Sequence, residues 1–193
     1  FHFMDYFMSH SAVSRDYGEF IRKGARITLR VLVRYVNKRL YEHYGDNWIE
    51  VANYIYKDQG GSSGRQLLIN ENGKVEWDFY AITTFLATGS RDNQAQQLIN
   101  NNKERINFKK TLFNELRDDL FQDFKSFSTI RNILSHASFD GEVEKGYANW
   151  IDADKYLSSM RLVISHIDPK SDFNNEINRI IEEFEEVKTK FNK

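Results

Sequence analysis

The chain has 193 residues and a formal net charge of −1, enough length for one domain with a substantial core and too little charge for bulk attraction to a polyanion. It contains no cysteine, which excludes disulfides, thiolate catalysis and thiolate zinc sites, and fits a reducing cytoplasm. A single proline and abundant aromatics describe a packed globular chain, and the aromatic opening FHFMDYFM, broken by Asp5, is too short for a signal peptide or a membrane span.

Charge is distributed unevenly along the sequence. Arg15, Arg22, Lys23, Arg26, Arg30, Arg34, Lys38 and Arg39 crowd residues 15–39 against Asp16 and Glu19, whereas residues 168–186 are rich in aspartate and glutamate. From Tyr17 to Tyr44 the pattern Leu29, Leu32, Val33, Val36, Leu40 predicts a helix that buries one face and ends at Gly45-Asp46. Arg22, Arg26, Arg30, Arg34 and Lys38, each four residues apart, wind as a basic stripe opposite that face. The stripe fits an RNA backbone, and equally a solvated or dimer-contacting surface. Trp48, Val51, Ala52 and Ile55 predict a second, short helix to about Lys57.

Residues 58–66, DQGGSSGRQ, read as a surface loop, and GGSSG lacks the lysine and following helix of a phosphate loop. RQLLI and KVEW flank NENG, where Asn72-Gly73 suits the turn of a small β-hairpin near residues 66–77. Asp78 is placed to start a helix carrying Phe79, Ile82, Thr83 and Leu86, closed by Gly89. Residues 90–102 read as a loop with at most one helical turn near 95–99. Leu112, Phe113, Leu116, Leu120 and Phe124 predict a helix over about 104–124.

Ser128 is a candidate N-cap for a helix with Ile130, Ile133, Leu134 and Ala137, followed by the loop DGEVEKG. Asp152 is a candidate cap for a helix bearing Ala153, Tyr156, Leu157, Met160, Val163, Ile164 and Ile167, stopped by Asp168-Pro169. A final helix from about Asp172 carries Ile177, Ile180, Ile181, Phe184, Val187 and Phe191 at near-heptad spacing, suited to packing along a bundle or against another chain. The expected fold is mostly α.

The segment STIRNILSHASF, residues 128–139, bears the most chemistry. At about 100° per residue, Ile133, Leu134 and Ala137 lie within roughly 60° of Ile130. Arg131, Ser135, Asn132 and His136 share the opposite arc. Imidazole transfers protons near neutrality, and guanidinium grips a phosphate at two points without losing its charge. RNA carries its own 2′-hydroxyl nucleophile, so its cleavage needs those two functions and no metal-activated water. Arg131 and His136 are therefore the candidate catalytic pair, with Asn132 orienting the imidazole or the substrate and Ser135 beside them.

Spacing alone is weak, because RLVISH, Arg161 to His166, repeats it. There Leu162 replaces the amide and His166 falls in a last helical turn, where a cation favours the helix dipole. The plainer explanation of RNILSH itself is a solvated face on a core helix. Asp118, Asp119 and Asp123, like EEFEE at 182–186, read as hydrated faces, since no histidine joins them at ligand spacing. His2, His10 and His43 read as structural or exposed, and Trp48, Trp77 and Trp150 as core anchors.

RNILSH and its flanks resemble the HEPN superfamily, whose ribonuclease members carry arginine, a polar residue, three variable residues and histidine. The likeness is nearest to the Swt1-like branch. YGDNW at 44–48, EWDFYAITTFL at 76–86, LFNELRDDLFQDF before the motif and DADKYLSSMRLVISHI after it follow that branch in order, over about residues 22–167. Two departures stand out: Leu134-Ser135 where an aromatic-alanine pair is frequent, and Ser138 where some members have a tyrosine used for silencing by nucleotidylation.

The resemblance implies one HEPN-like domain over residues 1–193, with a core at about 17–167 and a C-terminal helix at about 172–192. It implies a homodimer in which two motifs face each other as one composite site. It also implies a metal-independent endoribonuclease without cofactor, of the toxin or antiviral-effector kind, with an antitoxin or regulatory partner. The alternative is a non-catalytic module that binds RNA, a nucleotide or a protein partner. A chain that opens on Phe1 and closes on an extendable helix also fits a piece cut from a larger effector.

Overall fold

The computed structural model describes residues 17–59, 66–87, 92–93, 106–107, 112–113, 115–130, 133–134 and 148–191. Among them the elements are α1 (Gly18–Tyr44), α2 (Trp48–Gln59), β1 (Leu68–Ile69), β2 (Val75–Glu76), α3 (Phe79–Ala87), β3 (Asp92–Asn93), β4 (Ile106–Asn107), α4 (Asp118–Phe127), α5 (Trp150–Ile167) and α6 (Phe173–Phe191). The fold is mostly α, as the periodicities predict. Chain contacts divide it into two compact units, one of Phe1–Val31 with Thr129–Lys193 and one of Leu32–Ser128.

In the first unit, the opening half of α1 meets α5 and α6 at Gly24. A Cβ there would come within 2.9 Å of Leu157 Cδ2 and Met160 Sδ, so the missing side chain lets the helix approach closely. Thr28 returns its hydroxyl to Gly24 O at 2.9 Å, which satisfies a buried polar group inside its own helix. Tyr17 stands edge-on to Phe184, and its backbone N–H bonds to Ala148 O at 2.7 Å. The stripe predicted for α5 is buried from Ala153 to Ile164, and on α6 Ile177, Ile180 and Phe184 are buried while Phe191 is 46% exposed.

Helix α5 starts earlier than Asp152 suggests. Asn149 is its N-cap: the Asn149 side chain accepts from Asp152 N at 2.9 Å, and the Asp152 carboxylate accepts from Asn149 N at 3.3 Å. Asp152 is thus the N3 member of a reciprocal capping box, a second role for an acidic residue at a helix start. At the far end Asp168 is the C-cap and Pro169 follows it, as expected.

The second unit is built on Leu32, Val36 and Leu40 of α1, Val51, Ala52 and Ile55 of α2, and α3. Phe79, Ala81, Ile82, Thr83, Thr84, Phe85 and Leu86 are all buried and only Tyr80 and Ala87 are partly exposed, so α3 is an inner helix with little solvent face. Each of Phe85 and Leu86 contributes roughly 1.5–3 kcal/mol by leaving water. Asp78 caps α3 as expected, accepting from Ala81 N at 2.6 Å. The side chain of Thr83 donates to Phe79 O at 2.7 Å, and buried Trp77 donates through Nε1 to Asn37 Oδ1 at 2.8 Å.

The β1–β2 hairpin forms with Ile69 opposite Val75 and Leu68 opposite Glu76. Its turn differs from a two-residue Asn-Gly turn. Gly73 N bonds to Asn70 O and Asn70 N to Lys74 O, both at 2.9 Å, and Gly73 takes φ +72°, leaving residues 71–73 as the loop. Asn70 Oδ1 fixes that loop by accepting from Asn72 N and Lys74 N.

The largest correction concerns the helix expected over 104–124. Ile106–Asn107 is a strand paired with Asp92–Asn93, inside the stretch read as loop and helix, and the helix is Asp118–Phe127. Leu112, Phe113, Leu116, Leu120 and Phe124 are buried as predicted. A turn separates them, closed by Leu116 N to Phe113 O and followed by Leu120 N to Arg117 O. Asp118 and Asp119 favour the first turn of a helix, where unpaired amides face an acidic side chain, over its interior. Asp119 Oδ1 accepts from Leu120 N at 3.1 Å, and its carboxylate also pairs with Arg117. The helix then runs further than expected and buries Phe127.

Ser128 is not a cap that precedes a new helix. Ser128–Ile130 is a 3-10 turn that continues directly from α4. The loops at 60–65 and 140–146, the close of α3 at Gly89 and the turn near 95–99 lie outside the described residues, as do His2 and His10.

Candidate functional site

In the first unit Arg22 is half-buried, whereas Arg26 and Arg30 are exposed. A four-residue step advances about 40° around a helix, so a stripe that starts beneath neighbouring elements turns outward as it proceeds. Lys23, next to it, is engaged by Glu183 at 3.6 Å and Glu19 at 3.9 Å. Among the described residues Arg26 and Arg30 have no ion-pair partner. In the second unit Arg34 and Lys38 are exposed, and Lys38 lies 3.8 Å from Glu42.

Arg131, Asn132, Ser135 and His136 lie outside the described residues. The residues around them are placed. Ile130 is fully buried, and Ile133 and Leu134 are helical and half-buried, in keeping with the apolar side of the wheel. Two hydrogen bonds hold this stretch within the first unit. Arg22 Nη1 donates to Ile133 O at 3.2 Å, and Thr129 Oγ1 shares a 2.7 Å hydrogen bond with Tyr156 OH of α5.

These two contacts come from residues 111 and 27 positions away, which is why no local pattern announces them. Thr129 and Tyr156 carry no signal in the sequence beyond core and cap chemistry. Arg22 was visible only as the first member of the basic stripe. Its guanidinium offers five donors, of which one is given to the motif's backbone.

In RLVISH, Arg161 is exposed, Leu162 is 40% exposed, and half-buried His166 stands in the last turn of α5. Of the three aspartates, Asp119 is held by Arg117, which draws its carboxyl below the usual range. Among the described residues no three histidines or acids gather as a metal-ligand group. His43 is exposed and edge-on to Tyr44 at 4.7 Å. Trp77 is buried; Trp48 and Trp150 are half-buried, and Trp150 lies under Lys188 at 5.6 Å.

A separate polar network occupies the second unit. Tyr35 OH donates to Glu115 Oε1 at 2.8 Å, Arg39 Nη2 lies 3.1 Å from Glu115 Oε2, and Arg39 Nε donates to Leu112 O at 2.9 Å. Burial, followed by the bond to Glu115, pushes the Tyr35 phenol well above its ordinary pKa. Burial alone pushes Tyr44 up to about 12. Both phenols stay protonated at neutral pH, and that of Tyr35 fastens α1 to Glu115.

No helix among the described residues is long and apolar enough to cross a membrane. No protein-family model, curated protein or solved structure matches the chain.

Proposed function

We propose that the chain is a HEPN-type, metal-independent endoribonuclease that acts as a homodimer in the cytoplasm, as a toxin or antiviral defence effector under the control of a partner protein. The observation that carries this reading is the segment RNILSH, which sets Arg131, Asn132, Ser135 and His136 on the arc opposite its apolar residues. Half-buried Ile133 and Leu134 support that assignment of faces.

In the proposed reaction the RNA 2′-oxygen attacks the adjacent phosphorus while a base removes its proton. The bond from phosphorus to the 5′-oxygen breaks, that oxygen takes up a proton, and a cyclic phosphate end remains. His136 serves as base or acid, the second copy of the chain supplying the other histidine. Arg131 holds the charged phosphate, and Asn132 orients the imidazole or the substrate. Exposed Arg26, Arg30, Arg34 and Lys38 attract the backbone of single-stranded or looped RNA.

The test is cleavage of RNA by the purified chain in the presence of chelator. His136→Ala is expected to abolish cutting while preserving dimerisation, and equal activity in that variant would sink the proposal. A second reading, a module that binds RNA, a nucleotide or a protein without chemistry, is favoured by exposed Arg26 and Arg30, which have no ion-pair partner among the described residues. Tight RNA binding without turnover at any salt concentration selects it.

A further inference from the structure

We infer that Arg22 is a positioning residue for the Arg131–His136 motif and not a phosphate contact, an inference that rests on the ribonuclease reading. Three observations lead to it. Arg22 is half-buried, whereas Arg26 and Arg30 on the same stripe are exposed. Its Nη1 is already committed to Ile133 O at 3.2 Å. Ile133 stands two residues after Arg131 and three before His136, so the bond reaches the backbone in the middle of the motif.

A bond to a carbonyl fixes the path of the main chain whatever side chain that residue carries. Because the donor is ionised, it is stronger than a neutral one. The Thr129–Tyr156 hydrogen bond fixes the chain two residues before Arg131. The chain is therefore tied to α5 at Thr129 and to α1 at Ile133. Reacting groups displaced by about 1 Å lose rate steeply, so anchors of this kind act on turnover before they act on binding. Lysine is a poor substitute, since its ammonium is a compact, strongly hydrated charge without the planar fork.

The chain contains a single Ile-Leu step, Ile133-Leu134, so isoleucine labelled at the carbonyl carbon and leucine labelled at nitrogen yield one resonance pair that reports on Ile133 O. In Arg22→Gln that carbonyl resonance is expected to move, and in Arg26→Gln to stay. In RNA cleavage, Arg22→Gln should lower kcat by about ten- to a hundredfold, as for loss of a hydrogen bond to a charged group, with KM within about twofold. Its salt dependence of RNA binding should be unchanged. Arg26→Gln should instead raise KM and reduce the slope of log affinity against log salt by about 0.7, the share of one phosphate on a single strand.

Arg22→Lys, which keeps the charge, should share the loss of kcat, and it stands in for Arg22→Gln if the latter fails to fold. An unmoved Ile133 carbonyl overturns the inference. So does a raised KM with unchanged kcat and a flattened salt slope in Arg22→Gln. If the unaltered chain cuts no RNA, the ribonuclease reading falls together with the effect on kcat, while the carbonyl resonance still decides whether Arg22 holds the motif backbone.

Discussion

Two stretches of this chain carry arginine and histidine at the same spacing, and they are held in different ways. In RLVISH the Leu162 carbonyl accepts a bond from Ser165 Oγ at 3.0 Å, three residues on in the same helix. In RNILSH the Ile133 carbonyl accepts from Arg22, 111 residues away. The first arrangement arises in any helix with a serine so placed. The second needs the fold. Equal spacing thus conceals a difference in how the two carbonyls are held, one from within its own helix and one from another element.

The sharpest way to break this comparison is to remove each histidine in turn. His136→Ala should lower RNA cleavage by about 10²- to 10⁴-fold, the usual weight of a general acid or base. His166→Ala should leave turnover within about twofold, as expected of a side chain at a helix end. Equal losses measured in a chelator-containing assay would erase the distinction. A subtler change makes the first copy imitate the second: Asn132→Leu should cost about tenfold in kcat, the worth of one hydrogen bond of about 1.4 kcal/mol. Leu162→Asn, the reverse change at an exposed position, should gain no activity.

Smaller effects sharpen the structural side. Asn149→Ala removes one half of the capping box on the helix that carries RLVISH and should destabilise the chain by about 1 kcal/mol in urea unfolding. RNA cleavage per folded molecule should not change. Arg161→Ala, at an exposed site, should shift stability by no more than about 0.5 kcal/mol. A loss well above that would show that the second copy is also anchored.

Where apolar spacing runs unbroken over a long segment, the sequence was a sound guide. Helices α1, α2, α5 and α6 follow from it because one buried stripe at three- and four-residue steps admits few other conformations. It misled between Leu112 and Leu120 because a turn followed by a helix buries the same residues as one long helix. Only the acidic pair at 118 and 119 hinted at the later start. Asp152 reads as the cap in place of Asn149 because both are good helix-start residues and the box uses both. At the candidate site the apolar side of the motif was legible from periodicity. The hold of Arg22 on Ile133 was not, since a bond between a side chain and a distant backbone atom leaves no trace in spacing.

One unit is drawn from a single run of chain, Leu32–Ser128, while the other joins Phe1–Val31 to Thr129–Lys193. During synthesis the continuous run leaves the ribosome whole and can settle as each portion of its core arrives. The opening turns of α1 must wait. Leu157, Met160 and Ile177, which crowd Gly24, all follow that run in sequence, so this close packing forms only after they are made. Packing at Gly24 therefore follows synthesis of the intervening run, and the bond from Arg22 to Ile133 likewise needs that run to be complete.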